Sequence, residues 1–257
     1  MSQNQFPNPY RTSSTPAAPT TPANPLAPGV TTSPATLGVR PDARLATAFL
    51  SQAFLWMFVG LLITAGVAAV VQANPRLLSV AKDSFFFLFI IQIGIVIGIT
   101  AAINRISALA ALGLFFVYAA SLGVTIGLIV ASYTTGSVVT AFLSASAMFG
   151  AAAVYGHVTQ RSLAAMGGLL FMGLIGLLVA MVLNIFLASS TVTWVISIVG
   201  VVLFTALTAY DVQRIQSGAI AAQTGSMEKA AVIGALQLYL DFINLFLFFL
   251  RLTGSQR

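Results

Sequence analysis

The sequence predicts an all-α integral membrane protein of seven transmembrane helices behind a disordered N-terminal tail, and three observations predict it. Fifty-eight per cent of the 257 residues are hydrophobic. Only 6% are charged, whereas a soluble domain carries about 25%. Five acids and eleven bases cannot cover a water-facing surface, so the surface must face lipid. Those few charges also bound long uncharged runs whose lengths match one or two bilayer crossings.

The elements follow in order. Nine of the ten prolines lie in residues 1–41, among many Ser, Thr, Asn and Gln. Such a tract buries too little apolar surface to offset its ordering entropy, so residues 1–43 read as a disordered cytoplasmic tail. They lack the basic start and short apolar core of a signal peptide. Residues 44–257 read as the membrane domain. Span 1 covers about 46–71, where the chain from Leu45 to Asn74 has no charge and a span needs about 20 residues. Pro75, Arg76, Lys82 and Asp83 mark a loop. Span 2 covers about 84–104 and ends at Arg105. The 55 uncharged residues from Ile106 to Gln160 hold two spans, hinged at the Ser132–Ser137 segment. The 49 from Ser162 to Tyr210 split likewise near Ala188–Thr191. The last span covers about Ala230 to Leu250, between Lys229 and Arg251.

Orientation follows from the bias of Lys and Arg towards the cytoplasm. An N-inside topology places Arg11, Arg40, Arg44, Arg105, Arg161, Arg214 and Lys229 inside, and Arg76, Lys82, Arg251 and Arg257 outside. Gly94-x-x-x-Gly98 and Gly123-x-x-x-Gly127 are small-residue pairs of the kind that lets membrane helices approach closely.

Several function classes fall away. With no cysteine, disulfides and thiolate chemistry are excluded. The single histidine, His157 in the inner loop before Arg161, excludes a multi-histidine metal site. The net charge of +6 is scattered singly and forms no basic face, so a nucleic-acid partner is not expected.

Asp241 is the most informative residue. It lies twelve positions from Lys229 and ten from Arg251, roughly 18 and 15 Å at helical rise, and so close to the bilayer midplane. A carboxylate there costs at least about 2.5–3.5 kcal/mol, and such residues face a bundle interior and mark ion or proton pathways. The alternative is a hydrogen-bonded Asp that merely holds helices together. Asp211 is the second candidate, towards the cytoplasmic end of span 6. It could equally be a wet helix end paired with Arg214 three residues on. Arg105 ends span 2 at a similar depth. It could pair across the bundle or simply snorkel to the headgroups. If the two aspartates meet, both cannot ionise cheaply in a low dielectric, and they titrate as one unit. Their hard oxygens suit Ca²⁺, but two carboxylates fall short of its six to eight ligands, which favours transient passage over storage.

At these positions the chain resembles the Bax inhibitor family, the transmembrane Bax-inhibitor-motif proteins, in its bacterial type. Leu238-Tyr239-Leu240-Asp241-Phe242-Ile243-Asn244-Leu245-Phe246, followed by Leu250-Arg251, nearly reproduces the family's last-helix signature. Tyr210-Asp211 through Ile215 is similar to the preceding Asp-bearing helix end, and Arg105 falls on a basic position, less distinctively. The resemblance spans about residues 45–253. It implies that the last helix is central to the other six, that Asp211 and Asp241 share a proton, that Arg105 latches one of them, and that the protein is a pH-sensitive passive Ca²⁺ leak in a bacterial inner membrane. Partners would then be the lipid bilayer, Ca²⁺ and protons. No cofactor and no enzymatic activity are expected. A proton-coupled transporter would use the same acids but needs an internal repeat, and none is evident. An aspartyl protease would also need two acids, and a helix-holding scaffold would use them only as glue.

Overall fold

The computed structural model describes residues 43–255. The expectation for the N-terminal tail therefore lies outside the described residues. The helices are α1 (Ala43–Ala73), α2 (Pro75–Asp83), α3 (Phe85–Ala102), α4 (Ala108–Val130), α5 (Thr135–Val158), α6 (Gly167–Leu187), α7 (Ser190–Gln216), α8 (Ala219–Thr224) and α9 (Met227–Thr253), with a 3₁₀ turn at Ala164–Met166. Seven of them are long and apolar enough to cross a bilayer: α1, α3, α4, α5, α6, α7 and α9. Among the described residues there is no strand.

The boundaries sit where local chemistry ends or starts a helix. Ser107, Thr134, Ser189 and Ser226 each accept a hydrogen bond from a backbone N–H of the following turn, supplying a partner to a donor that the helix leaves open. Both predicted hinges therefore resolve into a break followed by a capping hydroxyl. In the second, Ala188 has φ 47°, a left-handed conformation uncommon for alanine. Asn184 holds it: its Oδ1 accepts from the Ser189 N–H at 3.3 Å and its Nδ2 donates to Thr193 at 2.7 Å.

Two expectations of local structure are corrected. Residues 75–83, read as a loop, form α2. Proline occupies the first turn, where its missing N–H is harmless, and Asn74 accepts from Arg76 and Leu77. The charges that marked a loop lie on the exposed side of a short amphipathic helix whose Ala81 is buried. His157 likewise stands, exposed, in the last turn of α5 rather than in a loop.

The last helix is the centre of the bundle. In the apolar stretch of α9, 72% of residues are buried, against 50% in α4 and 11% in α3 and α6. Helices α1, α4, α5 and α7 pack directly on α9, whereas α3 leans mainly on α4 and α6 on α7. The two small-residue pairs behave differently. A methyl on Gly123 would reach 2.8 Å from the Thr64 carbonyl oxygen, and one on Gly127 would meet Ala68, so this pair lets α4 close on α1. Gly94 and Gly98 face open space.

Candidate functional site

Helix α7 runs past Arg214 to Gln216, and Gly218 at φ 73° turns the chain into α8. That length is what lets Asp211 reach inward. Two contacts set the register against α9: Gly234 faces Ile215 near one end, and Gly200 faces Phe248 near the other. Counting inward from either contact places Asp241 opposite Thr208 and one turn from Asp211. The side chains agree. Asp241 lies beside Thr208 and within electrostatic reach of Asp211.

Both carboxyls are out of water, Asp211 at 7% exposure and Asp241 at 4%. Among the described residues they are the only buried Asp, Glu, Lys or Arg. Asp211 is thus not a wet helix end. The third candidate takes a different place: Arg105 lies exposed in the turn after α3, and no hydrogen bond or ion pair joins it to either aspartate. The cation within electrostatic reach of Asp211 is Arg214. Its Nη2 donates to Gln223 of α8 at 2.7 Å, and its guanidinium lies over the Tyr210 ring at 6.0 Å.

Sequence reasoning placed Arg214 beside Asp211 but missed two other neighbours. The Thr208 hydroxyl stands within hydrogen-bond reach of both the Phe204 carbonyl, at 2.7 Å, and the Asp241 carboxyl, and its single hydrogen can serve either. Gln237 lies one turn from Asp241 on α9. Its Oε1 and Asp241 Oδ2 are the buried side-chain oxygens among the described residues that find no hydrogen-bond partner. The available signal was spacing: Thr208 precedes Asp211 by three residues and Gln237 precedes Asp241 by four, which puts each on its aspartate's face. The arrangement offers two carboxyls and an amide oxygen, with no cluster of three or more His, Cys, Asp or Glu among the described residues.

Outside this centre, every other fully buried side-chain nitrogen or oxygen among the described residues has a hydrogen-bond partner. Tyr239, two residues before Asp241 and on the opposite side of α9, meets the Thr64 hydroxyl at 2.6 Å, and Thr64 also faces the carbonyls of Gly60 and Ala119.

Comparison with known proteins bears on the whole membrane domain. The family described as "Inhibitor of apoptosis-promoting Bax1" matches residues 46–257. The inner membrane protein YbhL of Escherichia coli is 40% identical over 225 residues, which cover 85% of this chain and 96% of that protein. A protein of Borreliella burgdorferi is 42% identical over 214 residues, 81% of this chain and 92% of its own. One of Deinococcus radiodurans is 38% identical over 209 residues, 81% and 90% respectively.

Proposed function

The chain belongs to the Bax inhibitor family, and from that premise we propose that it is a passive, pH-sensitive cation leak with Ca²⁺ as the permeant ion. The observation that carries this reading is the meeting of Asp211 and Asp241, both buried, on adjoining helices at the bundle's core. Two negative charges 4–8 Å apart repel by about 2–4 kcal/mol at an effective dielectric of about 20. In this proposal the pair therefore holds a shared proton while α7 and α9 stay closed. Thr208 serves either state: its hydroxyl can accept from a protonated Asp241 while donating to Phe204, or turn its hydrogen to the ionised carboxylate.

Loss of the shared proton adds one charge to the interface and drives the helices apart or draws in a cation. Arg214 is the nearest compensating charge, and a swing from Gln223 towards Asp211 would close the site again. Arg105 takes the latch role only after an inward movement of α3, which rests mainly on α4 and is the least buried of the spanning helices together with α6. We place the protein in a bacterial inner membrane with the N-terminus cytoplasmic. The location of the E. coli relative and the bias of Lys and Arg towards that end of the bundle support this.

The test is Ca²⁺ flux into proteoliposomes across pH 5–8. Wild type is expected to change flux by about tenfold across that range, equivalent to about 1.4 kcal/mol. Asp241→Asn, which keeps the shape and removes the titration, should flatten the profile. A variant that folds normally and retains the wild-type profile sinks the proposal.

A further inference from the structure

Between Ala230 and Leu250, five residues of α9 escape full burial: Gln237, Leu240, Asn244, Leu247 and Phe249. The first four recur at intervals of three, four and three. The next step of four reaches Arg251, which is exposed. Residues so spaced lie along one line of a helix. The line runs on the side of α9 opposite Phe242, the ring that packs on Phe142 and Phe149 of α5. It is bordered by the face carrying Asp241 and Phe248, which packs on α7, and by the face carrying Tyr239, which packs on α1 and α4. In the other direction the line ends, since Ile233 and Ala230 are buried.

The chemistry of the line does not suit hydrocarbon. A lipid-facing stripe has no use for Gln and Asn at membrane depth. Here Asn244 Nδ2 donates only to the Leu240 carbonyl of its own helix, at 2.8 Å, and Gln237 Oε1 has no donor at all. Asp241 Oδ2, one turn away, also lacks one. With Asp241 ionised, these are two buried acceptors with no donor between them, and they call for a positive or hydrogen-bearing guest, a water or a cation.

We propose that Gln237, Leu240, Asn244 and Leu247 line a water-accessible route along the central helix, open at the Arg251 end and closed at Ile233, and that Gln237 Oε1 and Asp241 Oδ2 are paired ligands for a cation at its inner end. The route deepens the leak reading and rests on it for the ion it carries. Amide and carboxylate oxygens are the hard ligands that Ca²⁺ takes, and water completes the shell. Gln237 thereby becomes a specificity-determining residue that no acid–base argument would single out.

The chain has no cysteine, so one introduced thiol reports alone. Leu247→Cys, Asn244→Cys and Leu240→Cys, each in proteoliposomes, are treated with a charged methanethiosulfonate that reacts only where water reaches. Leu245→Cys and Phe246→Cys, buried on other faces, serve as controls, and monodispersity in detergent verifies folding. Reaction on the line is expected to be at least about tenfold faster than at the controls, and to slow from Leu247 towards Leu240. Reaction with a lipid-soluble maleimide alone, or rates equal to the controls, overturns the route whatever Asp241→Asn does to flux. Rapid labelling alongside an unaltered flux profile in Asp241→Asn upholds the route and fails the leak reading. Gln237→Leu should lower Ca²⁺ flux several-fold while leaving labelling at Leu247→Cys in place. Full flux in that variant removes Gln237 from the site.

Discussion

Two regions of this bundle bury polar side chains between helices, and they do it in opposite ways. Between α3 and α4, Gln92 donates through Nε2 to Thr125 at 2.8 Å, to the Ser121 carbonyl at 3.1 Å and to the Ser121 hydroxyl at 3.3 Å. Between α7 and α9, Asp241 and Gln237 each keep a buried oxygen with no partner. The first cluster satisfies the Gln92 amide hydrogens on the neighbouring helix, and no fully buried side-chain atom in it lacks a partner. The second is left open where an unsatisfied polar group is most costly, in the middle of a membrane. A fold keeps such a group against its stability only where something else needs it. Satisfaction of hydrogen bonds, rather than polarity as such, separates glue from machinery here.

That contrast can be broken by measurement. The largest effect on stability should come from blocking the close approach of α4 to α1. Gly123→Leu drives carbon into the Thr64 carbonyl and should destabilise by about 1–3 kcal/mol or more, read as a lower denaturation midpoint in detergent. Gly94→Leu, facing open space, should leave the midpoint within about 0.5 kcal/mol. Gln92→Leu comes next. It removes an interhelical network of a kind worth about 0.6–2 kcal/mol, and it should leave the pH profile of flux untouched. A small effect, and the most telling, is expected for Asp241→Leu. Replacing a buried carboxyl whose Oδ2 has no partner by an apolar group of similar size is near neutral or stabilising, so the midpoint should stay within about 1 kcal/mol or rise while the pH response disappears. If Asp241→Leu destabilises as strongly as Gly123→Leu, the carboxyl is structural glue and the comparison fails.

Most of the bundle's outline was legible because charges are so few. Arg105, Arg161, Lys229 and Arg251 bracket spans that the helices reproduce within a few residues, and the Ser and Thr of the two hinges became helix caps. The stretch from Pro75 to Asp83 misled because the same residues that mark a loop, a proline followed by charges, also suit the first turn and outer face of a short interfacial helix. Of the two glycine pairs, spacing could not tell which one packs. Gly123 and Gly127 meet α1, and Gly94 and Gly98 meet nothing.

The site divides along the same boundary. A lone acid in an apolar helix announces itself, because the cost of burying a charge is a property of the residue and its immediate neighbours, so Asp241 could be singled out from its own segment. Which groups surround it could not. Arg105 and Arg214 are both plausible counter-charges by depth, and only the packed structure turns Arg105 out to the surface and sets Arg214 on Gln223 and Tyr210. Composition and charge spacing determined that this chain lives in a membrane, how many times it crosses, and which helix carries an acid at mid-depth. The register of α7 on α9, set by Gly200 under Phe248 and Gly234 under Ile215, decided that the two aspartates meet and that Gln237 stands beside them. Such registers depend on the shapes of both helices at once, and neither segment carries that information alone.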